Sequence, residues 1–344
     1  MGLPDASDSR LAELTRWVFD DLGFAGSRIA PASADASFRR YFRVTRGEDT
    51  YIVMDAPPEK ESLGPFLSVA KMLLGIGLNV PVVLAKDPKR GFLLLSDLGT
   101  RQYLDELVTD EAADRLYADA LGALCTMQTA GNGTVRDLPR YSRELLMREM
   151  ELMPEWFLQR HLGLQISAAE RGMLNRLFET LAQSALAQPS AFVHRDYHSR
   201  NLLVTPADNP GILDFQDAVW GPVTYDLVSL LKDCYVAWPA PRVSAWALQY
   251  REQLLAKGFP AALPEAEFMR GFDLVGLQRH IKVLGIFSRL YYRDGKVQYL
   301  KDLPRVLRYT RDAAADYAET AEFAGFIAKR IEPEFLDAQE RALA

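Results

Sequence analysis

The chain has 344 residues, 49% of them hydrophobic, and a formal net charge of −6 from 40 Lys and Arg against 46 Asp and Glu. This composition is that of a globular protein of about two domains, which argues against intrinsic disorder, and its mildly acidic charge gives no overall field that would attract nucleic acid. Cys125 and Cys234 lie far apart and in no motif, which excludes a disulfide scaffold and argues against a structural zinc site.

The first ten residues are polar and lack the apolar segment of a signal peptide. No run in the chain approaches the roughly 18 apolar residues that a membrane-spanning helix needs. We therefore expect a cytoplasmic protein with no membrane and no nucleic acid among its partners. Nothing in the sequence indicates an obligate protein partner.

The first 98 residues alternate between strand-like and helical patterns. Turn-forming residues at 46–49 and 87–91 separate the strand-like segments in pairs, which predicts two hairpins. The strand-like segments are 38–44, 51–55, 81–86 and 92–95, and the helical segments are 10–22 and 63–76. A small antiparallel sheet with few helices is the expected result.

The pattern changes to helices after a polar break at 96–100. Thr109, Ser142 and Ser167 each precede an apolar repeat of helical spacing and are predicted helix caps. One short β interlude interrupts the helices, at 191–193, 202–205 and 212–215. We therefore predict an α+β fold with two lobes: a small β-rich nucleotide-binding lobe at 1–98, and a larger, mainly helical lobe for catalysis and substrate binding at 99–344.

The β interlude carries the residues with the clearest chemistry. Asp196 lies in a loop after its first strand, Asn201 follows five residues later, and Asp214 ends the third strand. An amide oxygen and a carboxylate suit Mg²⁺, which prefers oxygen ligands and shares them with phosphate and water. Asp196 then remains to accept the proton of an attacking hydroxyl, as in the catalytic loop and metal-binding aspartate of kinases. Each residue alone is explained as well by a turn or cap, but the ordered set favours phosphoryl transfer.

The sequences H-R-D-Y-H-S-R-N at 194–201 and L-D-F-Q at 213–216 resemble the aminoglycoside phosphotransferase and choline kinase-like superfamily, whose fold is similar to that of protein kinases. The resemblance implies ATP and Mg²⁺ as cofactors, with Asp196 as the catalytic base and Asn201 and Asp214 as metal ligands. It also implies that His194 and Asp226 support the catalytic loop. Asp226 is also explained as the N-cap of a helix at 226–233, and the two roles can coexist.

Further segments, at 31–43, 54–61 and 277–287, resemble a group of bacterial sugar kinases of cell-wall recycling. These enzymes phosphorylate the anomeric C1 hydroxyl of N-acetylmuramate and N-acetylglucosamine, so the resemblance implies a small sugar as substrate and a sugar 1-phosphate as product. Two alternatives stay open. One is a kinase for another small alcohol, such as an aminoglycoside, choline or homoserine, and the other is a nucleotide-binding pseudokinase.

The predicted nucleotide site departs from the usual kinase pattern in its phosphate loop. Residues 32–38 contain no glycine, so Ala36 and Ser37 are candidates for backbone N–H contacts to phosphate without the freedom that glycine gives. An ordinary turn explains the segment equally well. At the polar break, the backbone of Ser96 and Leu98 is the candidate partner of adenine.

A second departure is the absence of a lysine on the third strand, where Met54 or Asp55 stands instead. A cation must still neutralise the nucleotide phosphates. The candidates are Arg40, Arg43 and Lys60, and strand alternation puts the two arginines on opposite faces. Arg43 is taken as the candidate nucleotide ligand, although the sequence does not choose among the three.

The acceptor sugar is expected beside Asp196. His198, Gln216 and Asp217 flank the catalytic groups in the sequence and are candidates for binding its hydroxyls. A predicted helix near 265–293 also places basic residues in one arc, which suits the carboxylate of N-acetylmuramate but fits a solvated face as well. These residues are Arg279, Lys282, Arg289, Arg293 and Lys296. Arg279 is a candidate substrate ligand. His280 is either a histidine of the hydrophobic core or a second substrate ligand.

Overall fold

A computed structural model describes residues 8–34, 38–130, 138–259 and 264–343. The chain divides into two compact units, the first of Met1–Arg101 with Leu203–Asp217 and the second of Gln102–Leu202 with Ala218–Ala344. A sheet-containing unit and a helical unit confirm the predicted fold class. The boundary at residue 98 and the roles of the two lobes stay predictions, and 203–217 joins the first unit although it follows that boundary.

The first unit is built on a five-stranded antiparallel sheet of order β1-β2-β3-β5-β4. Its strands, β1 to β5, are Arg28–Ala34, Arg40–Arg46, Asp49–Asp55, Val83–Asp87 and Phe92–Ser96. The two predicted hairpins are confirmed. The sequence does not predict β1, because Pro31 and small residues form strands poorly. As an edge strand with a register shift between Pro31 and Ser33, β1 accommodates the proline.

Two helices complete the first unit, together with a short hairpin of which all but Leu202 belongs to it. Helix α1, Ser9–Arg16, continues into a π-helical turn, and α2 is Leu63–Gly75. Apolar residues of α1 and its π-turn pack on alternate residues of the sheet: Leu14, Trp17, Val18, Phe42, Val44, Val53, Phe92 and Leu94. Strands β7, Leu202–Leu203, and β8, Gly211–Ile212, form a two-stranded sheet that is shorter than predicted.

The second unit is mainly helical. Its helices, α3 to α12, are Tyr103–Glu106, Asp110–Ala130, Arg143–Met150, Ala168–Ala187, Tyr225–Leu231, Ala240–Ala256, Glu265–Asp294, Leu303–Ala315, Ala321–Phe326 and Glu332–Leu343. Its π-helical segments are Met153–His161 and Ile327–Ile331, and its 3₁₀ segments are Val297–Asp302 and Ala318–Thr320. Strand β6, Ser190–Val193, pairs with β9, Val219–Pro222.

The three predicted caps are confirmed by side chains that accept backbone N–H groups. Thr109 accepts from Ala112, Ser142 from Leu145, and Ser167 forms a full capping box with Glu170. None of the helices in the described ranges is long and apolar enough to cross a membrane.

Helix α9 is the central helix of the second unit and is buried on almost every side between Phe268 and Leu290. A Cβ on Gly285 would lie 2.3 Å from the backbone carbon of Leu152, so glycine is required for this close packing. The same burial encloses Arg279 and Lys282, which are 4% and 6% exposed. A solvated face is therefore wrong for these two residues.

Candidate active site

The loop that carries Asp196 begins where β6 ends and is tied to helix α7 by Asp226. The carboxylate of Asp226 is fully buried and accepts the backbone N–H of His194 at 2.6 Å and of Arg195 at 3.0 Å. Burial raises the pKa of Asp226 to about 7, although the two N–H donors act to lower it. Arg195 has a φ of 78°, a conformation that costs about 1–3 kcal/mol and needs such bonds to hold it.

The backbone of Asp196 organises the rest of the loop. Its carbonyl oxygen accepts the backbone N–H of His198 at 3.1 Å and the side-chain Nδ2 of Asn201 at 2.9 Å. Its N–H donates to Nδ1 of His194 at 3.3 Å. Because Nδ2 of Asn201 donates to the carbonyl of Asp196, Oδ1 of the same amide points away from that hydrogen bond. This is the orientation that a metal ligand requires.

The carboxylate of Asp196 is partly buried in a positive environment. Burial acts to raise the pKa of Asp196, but the charges of Lys282, His198 and Arg279 lower it to about 2. Asp196 is therefore ionised at physiological pH, so it can accept a hydrogen bond from a hydroxyl group.

A buried ionic cluster supports the loop from another helix. Glu149 of α5 pairs with Arg195 at 2.6 Å and with Lys282 at 2.9 Å, and the hydroxyl of Tyr141 donates to it. Burial acts to raise the pKa of Glu149, but the charges of Lys282 and Arg195 keep it below its usual range. Sequence reasoning missed Glu149, and the available signal was its position one turn after Leu146, on the apolar face of α5.

We expect Glu149→Gln to lower the free energy of unfolding by about 3–5 kcal/mol, because the buried Lys282 and the half-buried Arg195 would both lose their ion-pair partner. Chemical denaturation measures the loss. The matched control is Glu179→Gln, which breaks the exposed Arg143–Glu179 pair and is expected to cost less than about 1 kcal/mol. Equal losses in the two variants would show that the cluster contributes no more than a surface pair.

Two side chains near Asp196 have a buried nitrogen atom without a hydrogen-bond partner in the part of the chain that the structure describes. Arg279 makes no hydrogen bond or ion pair there, and its Nε is buried. Burial acts to lower the pKa of Arg279, but acidic groups that include Tyr225 and Asp196 raise it, so the guanidinium stays charged. The Nδ1 atom of His198 is likewise buried without a described partner. A buried polar atom without a partner calls for an explanation such as an ordered water, an ion or a ligand, and beside Asp196 a polar ligand provides one.

His280 has the environment of a core histidine. It is 1% exposed, stacks on Tyr309 at 4.9 Å between ring centroids, and shares a hydrogen bond of 3.0 Å with the carbonyl of Lys232. Burial lowers the pKa of His280 to about 3, so the ring is neutral. Its role in substrate binding stays a prediction that these contacts do not support.

The first unit holds the third residue of the predicted catalytic set. Asp214 follows β8 with a φ of 62°, and Gln216 donates from Nε2 to its Oδ1 at 2.6 Å. Between them, Phe215 is fully buried against Phe66 of α2, with 4.9 Å between ring centroids. Gln216, a predicted substrate ligand, is thus placed to orient the carboxylate of Asp214.

The donor chemistry of the predicted metal ligands fits Mg²⁺. A carboxylate from Asp214 and an amide oxygen from Asn201 are hard oxygen donors, and Mg²⁺ in phosphoryl-transfer enzymes takes its other ligands from phosphate and water. Within the described residues, no three His, Cys, Asp or Glu side chains form a group that could hold a metal ion by themselves.

Two of the three arginines of β2, Arg40 and Arg43, are paired with carboxylates. Arg43 donates to Asp97 at 2.6 and 3.0 Å and to the carbonyl of Gly99 at 3.1 Å. Arg40 donates to Asp55 at 2.6 Å and also pairs with Asp8. Arg43 is therefore committed to Asp97, and its predicted nucleotide contact stays a prediction.

The structure describes only two of the four other predicted nucleotide contacts, Ser96 and Leu98. Ala36 and Ser37 lie outside the described residues. The N–H of Ser96 donates to the carbonyl of Val82 at 2.9 Å, so an adenine contact through that N–H would have to replace this bond. Leu98 lies close to the β7–β8 hairpin, since a Cβ on Gly211 would be 3.1 Å from its Cδ1.

The sequence matches bacterial proteins of known name over most of its length. A protein of Pseudomonas aeruginosa is 47% identical, with 88% of each chain covered, and one of Pseudomonas putida is 45% identical over 94% of this chain and 97% of the relative. A protein of Neisseria meningitidis is 43% identical over 89% of this chain and 91% of the relative. All three are named N-acetylmuramate/N-acetylglucosamine kinase.

Solved structures share the fold at much lower identity. Choline kinase from Cryptosporidium parvum is 12% identical with a TM-score of 0.60, covering 88% of this chain and 96% of that one. The GDP complex of wild-type aminoglycoside 2'-phosphotransferase-IIIa is 16% identical with a TM-score of 0.59, covering 90% and 100%. The profile of the phosphotransferase enzyme family (APH) matches residues 28–269. With that match and relatives 43–47% identical over most of its length, the chain belongs to the phosphotransferase enzyme family.

Proposed function

We propose that the protein is an ATP- and Mg²⁺-dependent kinase that phosphorylates the C1 hydroxyl of N-acetylmuramate and N-acetylglucosamine, giving sugar 1-phosphates for peptidoglycan recycling in the cytoplasm. The names of the relatives support the two sugars, and the resemblance of the motifs supports the anomeric position. The observation that carries the proposal is the carboxylate of Asp196, which the charge of the buried Arg279 helps to keep ionised, while Nε of Arg279 has no hydrogen-bond partner among the described residues.

In this proposal Asp196 orients the C1 hydroxyl and takes its proton as the new O–P bond forms. The bond from the γ-phosphorus to the bridging oxygen of the β-phosphate breaks in the same step, and ADP leaves. A carboxylate with a pKa of about 2 is a weak base, so the proton transfers late in the step, and Asp196 contributes both by positioning the hydroxyl and by accepting its proton. Lys282 keeps Asp196 ionised, and Glu149 keeps Lys282 in place.

Asn201 and Asp214 are the proposed protein ligands of Mg²⁺. When bound, Mg²⁺ neutralises charge on the phosphates of ATP. The hydrogen bond from Gln216 restricts the rotation of the Asp214 carboxylate, a form of support that metal-binding carboxylates commonly need. Asp217 and His198 are kept as candidates for binding sugar hydroxyls.

The buried charge of Arg279 favours an anionic acceptor. N-acetylmuramate carries a carboxylate that would pair with the guanidinium, whereas aminoglycosides and choline are cations that it would repel. This argues against two of the alternative alcohols. The ionised Asp196 and the names of the relatives argue against a pseudokinase.

We expect Arg279→Gln to lower kcat/KM for N-acetylmuramate by about 10- to 100-fold, the range for a lost charged hydrogen bond. N-acetylglucosamine, which has no carboxylate, should lose less than about fivefold. A coupled assay of ADP release with both sugars measures the difference. The control is Arg293→Gln on the same helix, because Arg293 is exposed and pairs with its neighbour Asp294. Equal losses for the two sugars would contradict carboxylate recognition.

The function itself is tested with a substrate panel and phosphorus NMR. The purified protein, Mg²⁺ and ATP are incubated with N-acetylmuramate, N-acetylglucosamine, an aminoglycoside, choline and homoserine. We expect phosphate on the anomeric oxygen of the two amino sugars. A 6-phosphate product, or turnover of the other alcohols alone, would overturn the proposal.

A further inference from the structure

The open question on the nucleotide side is which cation replaces the lysine of the third strand. In kinases that lysine contacts the phosphates and is held by a glutamate from a helix. Met54 and Asp55, the residues in its place, are both fully buried, and Asp55 is bound by Arg10 and Arg40. The cation must therefore come from another position.

We infer that Arg39, held by Glu61, is the residue that binds the α- and β-phosphates of the nucleotide. The inference rests on the proposed function, because it takes a nucleoside triphosphate as the phosphate donor. Neither residue was a candidate from sequence, since Arg39 precedes the strand and Glu61 precedes the helix.

The ion pair with Glu61 holds the guanidinium of Arg39 in a fixed position. Arg39 donates to Oε2 of Glu61 at 2.9 Å, and the two side chains are only 11% and 16% exposed. Glu61 immediately precedes Ser62, the N-cap of α2, so the helix fixes its place. A guanidinium carries five N–H donors in a planar fork, so one edge can hold Glu61 while another binds phosphate oxygens.

Charge also links Arg39 to the segment of the first unit that holds the proposed metal ligand. Burial acts to lower the pKa of Arg39, but Tyr41, Glu61 and Asp217 raise it. Asp217 follows Asp214 by three residues. A cation and a metal ligand that bind one triphosphate must lie on the same side of this unit. The charge interaction between Asp217 and Arg39 agrees with that arrangement, because Asp217 lies close to Asp214 in the sequence.

The neighbouring arginines have structural tasks instead. Arg40 joins Asp55 of β3 to Asp8, the N-cap of α1. Arg43 is held by both carboxylate oxygens of Asp97 and by the carbonyl of Gly99, just beyond β5. Each would have to leave two or more partners to reach a nucleotide.

The first test compares Arg39→Met with the wild type in the full-length protein. Calorimetric titration with ADP and with the non-hydrolysable ATP analogue AMP-PNP should show Kd raised by about 10- to 100-fold, and kcat should fall by about 10²–10³-fold. KM for the sugar should change little. Arg39→Lys should recover part of the nucleotide affinity, since it keeps the charge but loses the fork. The control is Arg46→Met, because Arg46 is exposed at the far end of β2.

A charge swap separates phosphate binding from a merely structural ion pair. The double variant Arg39→Glu with Glu61→Arg should restore thermal stability lost in Arg39→Glu but not nucleotide affinity. Recovery of both properties would overturn the inference, as would an unchanged Kd in Arg39→Met. If the wild type phosphorylates no sugar, yet Arg39→Met still weakens nucleotide binding, the proposed function fails and the inference stands.

Discussion

Replacing Asp196 by Asn is expected to lower kcat by about 10²–10⁴-fold, the usual contribution of a general base. Nucleotide affinity should stay within about threefold, because the loop is held by the backbone groups of Asp196 and not by its carboxylate. An amide still accepts a hydrogen bond but cannot take the proton of the sugar. A coupled assay gives kcat, and titration with ADP gives the affinity.

The pH dependence of the wild type provides a second measurement. Since the pKa of Asp196 is lowered to about 2, the carboxylate is ionised above that value and becomes protonated only as the pH falls towards it. Activity should therefore show no loss from this group between about pH 5 and 8. Arg279→Gln removes one of the cations that lower the pKa of Asp196. In that variant the loss of activity at acid pH should therefore begin at a higher pH. Full turnover by Asp196→Asn would contradict its role as base.

Features encoded by neighbouring residues could be predicted from the sequence. The hairpin of β2 and β3 follows from alternation around Gly47, and the capping box of Ser167 and Glu170 is a local pairing. The catalytic motif at 194–201 is also local as a sequence pattern, and Asp196 is hydrogen-bonded to His194, His198 and Asn201 within it.

Features that depend on distant residues could not be predicted. The spacing along α9 placed Arg279 and Lys282 on one arc, but it carried no information on whether that arc meets water or protein. The burial of Lys282 depends on Glu149, which a different helix supplies. The Arg39–Glu61 pair likewise joins the start of a strand to the residue before a helix cap, and neither position follows a helical or strand repeat.

Replacing Asp214 by Asn is expected to reduce kcat at least as much as Asp196→Asn, by about 10³-fold or more, because a charged metal ligand is lost. Asn is preferred to Ala because Asp214 has a φ of 62°, which Asn tolerates better than Ala. The decisive measurement is the affinity for ADP with and without Mg²⁺. In the wild type Mg²⁺ should tighten binding, and in the variant this effect should disappear.

The control for this prediction is Asp208→Asn, which changes an exposed carboxylate on the same segment that also has a positive φ. It should keep both turnover and the effect of Mg²⁺ on ADP binding. If Mg²⁺ tightens ADP binding equally in Asp214→Asn and in the wild type, Asp214 is not a metal ligand. The strained backbone at Asp214 would then serve only to bury Phe215 against Phe66, and the hydrogen bond from Gln216 would have no role in metal binding.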